Sequence, residues 1–256
     1  MKQIVHSIPV FAGNLEAAVT HLLEQLSDTT LTTCLTVSCT GAHGMVEAKE
    51  SVDFCNVLRS FYLNLPDGMP LVWLARVKGF STAGRCYGPD VFGTLLQRTA
   101  SLPYSHFFCG GKPGVADELV QNAIRTWKGV TIAGTYCPPF RTLSDEELGT
   151  LAEQINKSAT SIVWIGLSTP KQEVFAARLA PLLQSKLIIT IGAAFDFYTG
   201  RVKQAPRWMQ KGGLEWFYRL MQEPRRLAPR YLKIVPKFAL MAIRNLLVDR
   251  SKKSYL

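Results

Sequence analysis

The chain has 256 residues, 47% hydrophobic and 19% charged, enough apolar material for one large domain or a domain with an appendage, and too much for a disordered chain. No apolar run approaches the ~18 residues of a membrane-crossing helix, and residues 1–18 lack the basic and apolar regions of an export signal. The net charge of +10 is unevenly held: residues 1–200 carry 15 basic and 16 acidic side chains, a net of −1, and residues 201–256 carry 14 and 3, a net of +11.

Such a C-terminal excess suits an anionic partner: nucleic acid, acidic lipid or phosphate. The six cysteines form no C-x-x-C pair and no zinc-type spacing with His. A reduced, cytosolic protein with structural cysteines is expected.

In chain order, residues 14–26 place Leu15, Ala18, Leu22 and Leu26 on one face and predict a helix. Residues 31–37 read as a strand, 52–61 as a helix and 61–65 as a short buried strand. That strand ends in the turn Pro66-Asp67-Gly68. A helix over 69–77 and another opened by Asp90 follow. Then come strand 106–109, helix 115–127, strand 130–134, and a helix from the capping box at Ser144 and Glu147 to about Asn156. Strand 161–166, helix 170–183 and strand 186–191 complete the series. The alternation predicts an α/β fold: a mostly parallel sheet with helices on both faces and ligands beyond the strands' carboxyl ends.

After Gly200 the pattern changes, which divides the chain into a core over 1–200 and a basic appendage over 201–256. Over residues 232–248, Lys233, Lys237 and Arg244 fall within about 40° at 100° per residue. Ile234, Phe238, Met241, Ala242 and Leu246 take the opposite side. A basic amphipathic helix, bent at Pro236 and laying its apolar side on a membrane, is expected, the alternatives being a nucleic-acid arm or an ordinary solvated helix with a packed apolar face.

The strand-to-helix junctions hold the candidate chemistry. Asp67 follows a buried strand and reads as a carboxylate base, or as a plain turn or cap residue. Gly110 and Gly111, in Gly110-Gly-Lys-Pro-Gly114, would let a phosphate approach the backbone or simply make a tight turn. Lys171, Gln172 and Glu173 occupy a first helical turn, where a lysine opposes the helix dipole and so suits an anion, or is simply an exposed lysine. Arg85 has the fork for a phosphate or a carboxylate, and Asp90 reads as an N-cap. Asp196, after the last strand, competes with Asp67. The four histidines do not cluster, and there is no D-x-D pair and no grouping that suggests a hydrolase triad.

Together these residues resemble the WecG/TagA/CpsF family of bacterial glycosyltransferases. The resemblance covers about residues 36–232. It rests on Asn64-Leu-Pro-Asp-Gly-Met-Pro-Leu-Val-Trp73, Arg85 with Gly88 and Asp90, Phe108-Cys-Gly-Gly-Lys-Pro-Gly-Val-Ala116 and Pro138-Pro-Phe140. It continues through Gly166-Leu-Ser-Thr-Pro-Lys-Gln-Glu173, Gly192-Ala-Ala-Phe-Asp-Phe197, Val202-Lys-Gln-Ala-Pro-Arg-Trp-Met-Gln210, Gly213-Leu-Glu-Trp-Phe-Tyr-Arg219 and Glu223-Pro-Arg-Arg226.

The resemblance implies a Rossmann-like core and inverting transfer of a sugar from a UDP-sugar to a polyprenyl-diphosphate-linked acceptor. No metal or other cofactor is implied. Family sugars are N-acetylmannosamine, its uronic acid, glucose and glucuronic acid, used in wall, capsule or exopolysaccharide assembly. The family base falls on Asp67, with Arg85 and Gln172 beside it. Thr40, Gly110, Gly111, Lys171 and Asp196 fall on the donor side. Arg219, Arg225, Arg226 and Arg230 fall in the family's phosphate-binding, membrane-contacting appendage. The family's Thr-x-Asn is represented by Thr40 alone, because Ala42 stands where the Asn is expected. The implied location is the inner face of the cytoplasmic membrane, with an anionic lipid surface as partner. The tail's aromatic and apolar content argues against a nucleic-acid arm. A homo-oligomer is left open. The competing classes are a nucleotide-dependent oxidoreductase and a non-catalytic assembly protein at the membrane.

Overall fold

The computed structural model describes residues 1–253, with side chains through residue 247; the last residues of the appendage, 254–256, lie outside the described residues. An antiparallel hairpin, β1 (Lys2–Val5) and β2 (Ile8–Phe11), opens the chain. Its two turn residues, His6 and Ser7, have φ of 47° and 65°, the left-handed pair that a tight hairpin needs. No Asn-Gly or Asp-Gly marks that turn, so the sequence reading did not include it.

Six strands form the central sheet: β3 (Leu35–Thr40), β4 (Leu63–Pro66), β5 (Ser105–Gly110), β6 (Thr131–Tyr136), β7 (Ile162–Gly166) and β8 (Leu187–Thr190). Their order is β4-β3-β8-β7-β5-β6, and every neighbouring pair is parallel. The expected alternation is thus present, with the largest boundary change at β3. Residues 31–34 stay outside the sheet because β8 begins opposite Leu35. The Leu31 carbonyl instead accepts from Lys186 Nζ at 3.2 Å.

Successive residues of the buried strands point to opposite faces. Phe108, Trp164 and Ile189 meet α1 (Leu15–Ser27), α5 (Gly88–Thr99) and α6 (Val115–Thr126) on one face. Phe107, Val163 and Ile188 meet α7 (Asp145–Lys157) and α8 (Lys171–Leu179) on the other. The Ser144 capping box that opens α7 is formed in both directions. Helix α8 stops early, because Pro181 turns residues 180–182 into a 3-10 turn.

A third cluster was not legible in the sequence. It joins the hairpin (Val5, Ile8, Val10) to α2 (Ala42–Glu50), α3 (Val52–Ser60) and α4 (Met69–Val77). Its remaining members, Ile234, Phe238 and Met241, come from the last helix.

That helix corrects an expectation. Three short helices, α9 (Ala194–Tyr198), α10 (Arg207–Lys211) and α11 (Glu215–Gln222), lead to α12 (Pro224–Lys253), which continues through Pro229 and Pro236. The apolar side expected to face a membrane is the side buried against the protein. Burial of Ile234, Phe238 and Met241 contributes about 2 kcal/mol each. Lys233 and Lys237 bond Glu50 of α2, Lys233 at 2.7 Å. The residues left exposed are a different stripe: Leu232, Val235, Leu240, Ile243 and Leu247. Among the described residues, no helix is long and apolar enough to cross a membrane.

Candidate active site

Because the sheet is parallel, all six carboxyl ends lie along one edge. At the end of β4 the Asp67 amide donates to the Thr40 carbonyl at 3.0 Å. Its side chain does not cap the helix that follows it. Instead Asp67 Oδ1 accepts from the Gly88 amide at 2.7 Å, satisfying one of the open donors at the start of α5. Gly88 is required there, because a Cβ would stand 2.6 Å from the Ile191 carbonyl oxygen. The expected N-cap, Asp90, lies exposed inside the first turn, since α5 starts two residues earlier with Tyr87 at its cap position.

Burial pushes the Asp67 carboxyl up from 3.8 to about 6, against the pull of Arg85 and the Gly88 amide. The Glu215 and Asp90 carboxylates push in the same direction as burial. Asp67 is therefore ionised at neutral pH yet a stronger base than a free aspartate.

Arg85 is fixed from three sides. Its Nε donates to the Asp67 carbonyl at 2.6 Å, its guanidinium lies 3.8 Å over the Tyr87 ring, and its Nη2 donates to Glu215 Oε2. Burial works against its charge, and Asp67 and Glu215 more than offset that, so its pKa is raised. The Tyr87 hydroxyl donates to the other Glu215 oxygen. Tyr87 also packs on Phe197 of α9, ring centres 6.0 Å apart, and Arg219 of α11 lies 5.2 Å over Phe197. Two arginines thus bracket an aromatic pair. Arg219 Nη2 reaches Glu223 at 3.4 Å, and its Nε is buried without a hydrogen-bond partner.

On the neighbouring strands the polar groups face inward. The Thr40 hydroxyl is buried without a partner, and a Cβ on Gly44 would come within 2.1 Å of it. Gln172 is 1% exposed, and both ends of its amide are engaged. Its Oε1 accepts from the Gly192 amide at 3.0 Å, and its Nε2 donates to Glu173 at 2.8 Å and Thr169 at 3.2 Å. Glu173 Oε1 also accepts from Thr169 at 2.9 Å and Ser38 at 3.3 Å, while burial pushes that carboxyl up. Gln172 ties the β7–α8 turn to the β8–α9 turn.

Gly110 and Gly111 have a packing cause for their identity. Their φ values are 139° and 76°, and a Cβ on Gly110 would meet the Gly166 carbonyl at 2.5 Å. The Gly111 amide donates to that carbonyl at 3.0 Å. Strands β3, β8 and β7 stand between them and Asp67, a distance of about 19 Å along the edge at ~4.8 Å per strand. Lys171 is exposed, its ammonium 4.7 Å from the centre of the Phe140 ring. Asp196 is half-buried on α9. Arg225 is exposed and Arg226 bonds Glu223 at 2.5 Å. Arg230 sits near His43 after β3; burial first, and then Arg230, lower that imidazole's pKa.

Of the sequence-derived candidates, the structure gathers Asp67, Arg85 and Arg219 around one aromatic pair. Gln172 belongs to the adjoining polar network, and Thr40, its hydroxyl unpartnered, bonds Asp67 through its backbone carbonyl alone. Gly110, Gly111 and Lys171 lie further along the edge. The sequence reading did not single out Glu215, Tyr87 or Phe197 for this site. A signal for Glu215 was present: it is one of only three acidic residues in the basic tail. His106 serves the core, accepting from Trp164 Nε1 and meeting the Thr99 hydroxyl, both at 3.0 Å. All six cysteines are free. Among the described residues, no three His, Cys, Asp or Glu side chains converge as a metal-binding group.

Comparison with known proteins identifies the family. The sequence pattern of the Glycosyl transferase WecG/TagA/CpsF family matches residues 3–252. The N-acetylglucosaminyldiphosphoundecaprenol N-acetyl-beta-D-mannosaminyltransferase of Bacillus subtilis is 29% identical over 253 residues, covering 99% of this chain and 94% of that protein. The protein of the same name from Bacillus spizizenii is 29% identical over 199 residues, covering 78% of this chain and 75% of that protein. With nearly its whole length inside the family pattern, the chain belongs to the WecG/TagA/CpsF family of glycosyl transferases.

Proposed function

We propose that this glycosyltransferase moves a sugar from a UDP-sugar to a saccharide carried on a polyprenyl diphosphate, with inversion, in cell-wall, capsule or exopolysaccharide synthesis. N-acetylmannosamine leads the candidate donors, because both relatives are named for its transfer. Its uronic acid, glucose and glucuronic acid are the others.

The observation that carries the reading is the Asp67 carboxylate, gripped at Oδ1 by the Gly88 amide with an arginine at its own carbonyl. Transfer makes two demands. The acceptor hydroxyl loses its proton as its oxygen attacks the anomeric carbon from the face opposite the departing UDP. The C–O bond to UDP breaks, and the electron pair leaves with the diphosphate. Asp67 takes the proton through Oδ2, and its raised pKa suits that task.

Arg85 and Arg219 meet the charge on the diphosphate, and the reading calls on no metal. Fixed guanidinium groups in a half-buried site stabilise developing charge without reorganising. The buried, unpartnered Nε of Arg219 supports an anion docking there. Gln172 acts indirectly, by holding Gly192 against the end of β8. Thr40, Asp196 and Lys171, with the Gly110-Gly111 turn, line the rest of an edge long enough for a nucleotide sugar. Arg225, Arg226 and Arg230 stand beside the acceptor's diphosphate.

A lipid acceptor places the work at a membrane surface. Trp208, Trp216, Phe217 and Met221 are exposed on α10 and α11, as is the stripe of α12, in a segment rich in arginines and lysines. Each basic residue near anionic lipid contributes about 1 kcal/mol. The proposed location is therefore the cytoplasmic face of the membrane, bound peripherally.

The test is a panel of UDP-sugars offered with a lipid-diphosphate acceptor in the presence of a metal chelator, the product read by mass. One donor giving an acceptor heavier by one sugar supports the reading. No product from any donor, with nicotinamide dinucleotide bound instead, overturns it.

A further inference from the structure

We infer that Glu215, at the head of α11, is a positioning residue for this transfer: its carboxylate clamps Arg85 and Tyr87 and so couples the appendage to the base. The inference rests on the function proposed above and adds to it a residue that touches neither donor nor acceptor.

Glu215 is 8% exposed although charged. Its two oxygens serve two partners on one core loop: Oε2 takes Arg85 and Oε1 takes the Tyr87 hydroxyl. Those partners lie 130 and 128 residues earlier in the chain. Burying an ion pair of this kind costs desolvation that Coulomb attraction repays only with good geometry and further hydrogen bonds. Here one further bond reaches Asp67 directly, and Tyr87 reaches it through its chain neighbour Gly88. Arg85 passes on to the Asp67 carbonyl at 2.6 Å. Tyr87 stands at the cap position of α5, whose first amide holds the Asp67 carboxylate at 2.7 Å. Two short chains of contacts therefore run from the appendage to the base.

The charged and titratable groups facing Asp67 are Arg85, Glu215, Asp90, Tyr87, Cys39 and Cys86. Glu215 is the one supplied by the appendage. Its negative charge raises the Asp67 pKa directly, and it also occupies the arginine that would lower it. Removing that charge while keeping the side chain's size must move the acid limb of activity to lower pH. A residue that merely glued the appendage in place would lower activity without moving that limb.

The experiment compares wild type, Glu215→Gln and Tyr87→Phe in the full chain. For Glu215→Gln, kcat falls about tenfold or more while KM for the donor changes less. The midpoint of the acid limb drops by at least about 0.5 pH unit. Tyr87→Phe keeps the ring under Arg85 and loses one hydroxyl, so it shows the same fall in smaller measure. It keeps the inference testable if Glu215→Gln does not fold. Hydrogen exchange reads the coupling without substrate: the Gly88 amide exchanges faster in both variants, and the amides of β7 do not. If the wild-type chain transfers no sugar, the functional reading fails, and exchange at Gly88 alone decides the coupling. Wild-type kcat with an unmoved acid limb in Glu215→Gln, or unchanged exchange at Gly88, overturns the inference.

Discussion

Replacing Asp67 by Asn separates stability from activity in a way the structure fixes in size and sign. The carboxyl rises from 3.8 to about 6 on folding. Below pH 3.8 it is protonated in both states and opposes nothing. As pH rises toward 6 the unfolded chain gives up this proton first, so stability is lost across that window. At 1.36 kcal/mol per pH unit the full loss is about 3 kcal/mol above pH 6. The residue keeps some contact with solvent, which makes that figure an upper bound. Asn never ionises, and its side-chain oxygen can still accept from the Gly88 amide. Asp67→Asn should therefore match wild type near pH 4 and exceed it by up to about 3 kcal/mol at pH 7. Turnover should meanwhile fall about 10²–10⁴-fold, the usual worth of a general base. Urea unfolding at pH 4, 5, 6 and 7, with transfer assayed on the same samples, tests both. Equal stability at every pH would show that Asp67 is not a strained base, and wild-type turnover would remove it from the chemistry.

Gly88→Ala forces a Cβ toward the Ile191 carbonyl at 2.6 Å; it should cost about 1–3 kcal/mol and lower turnover by shifting the amide that holds Asp67, and wild-type turnover would refute this. Phe238→Ala should cost about 3–5 kcal/mol, as for a core phenylalanine, whereas Ile243→Ser on the exposed stripe should leave melting unchanged and weaken binding to anionic vesicles. The reverse result would show that the two faces of α12 have been misassigned. Burial lowers the His106 imidazole from 6.5 to about 4, so stability is full above pH 6.5 and falls by about 3 kcal/mol toward pH 4. That trend opposes the one at Asp67, and acid sensitivity should steepen in Asp67→Asn. An NMR titration giving His106 a midpoint near 6.5 would refute it.

The six strands of the sheet and most of its helices were legible locally, because each rests on a periodicity or a cap within a few residues. The capping box at Ser144, the helix over 69–77 and the buried runs of β5, β7 and β8 are cases of this kind. The Asp67 turn and Arg85 were legible for another reason: the parallel fold sends every strand's end to one edge, and their motif resembles a known family. Helix α12 was legible only in part. Its two apolar faces are interchangeable by periodicity, and only the cluster formed by the hairpin, α2, α3 and α4 decides which one is buried. Glu215 was beyond local reading, since its meaning lies in residues 130 and 128 positions away. The sequence by itself determined the strand-and-helix alternation, the split of charge between core and tail, and the family. Tertiary structure decided which of the tail's arginines reaches the aromatic pair beside Asp67, which face of the tail stays open, and that an acid from the tail reaches the core's arginine. Those depend on long-range packing and on desolvated charge, and neither is written in the spacing of neighbouring residues.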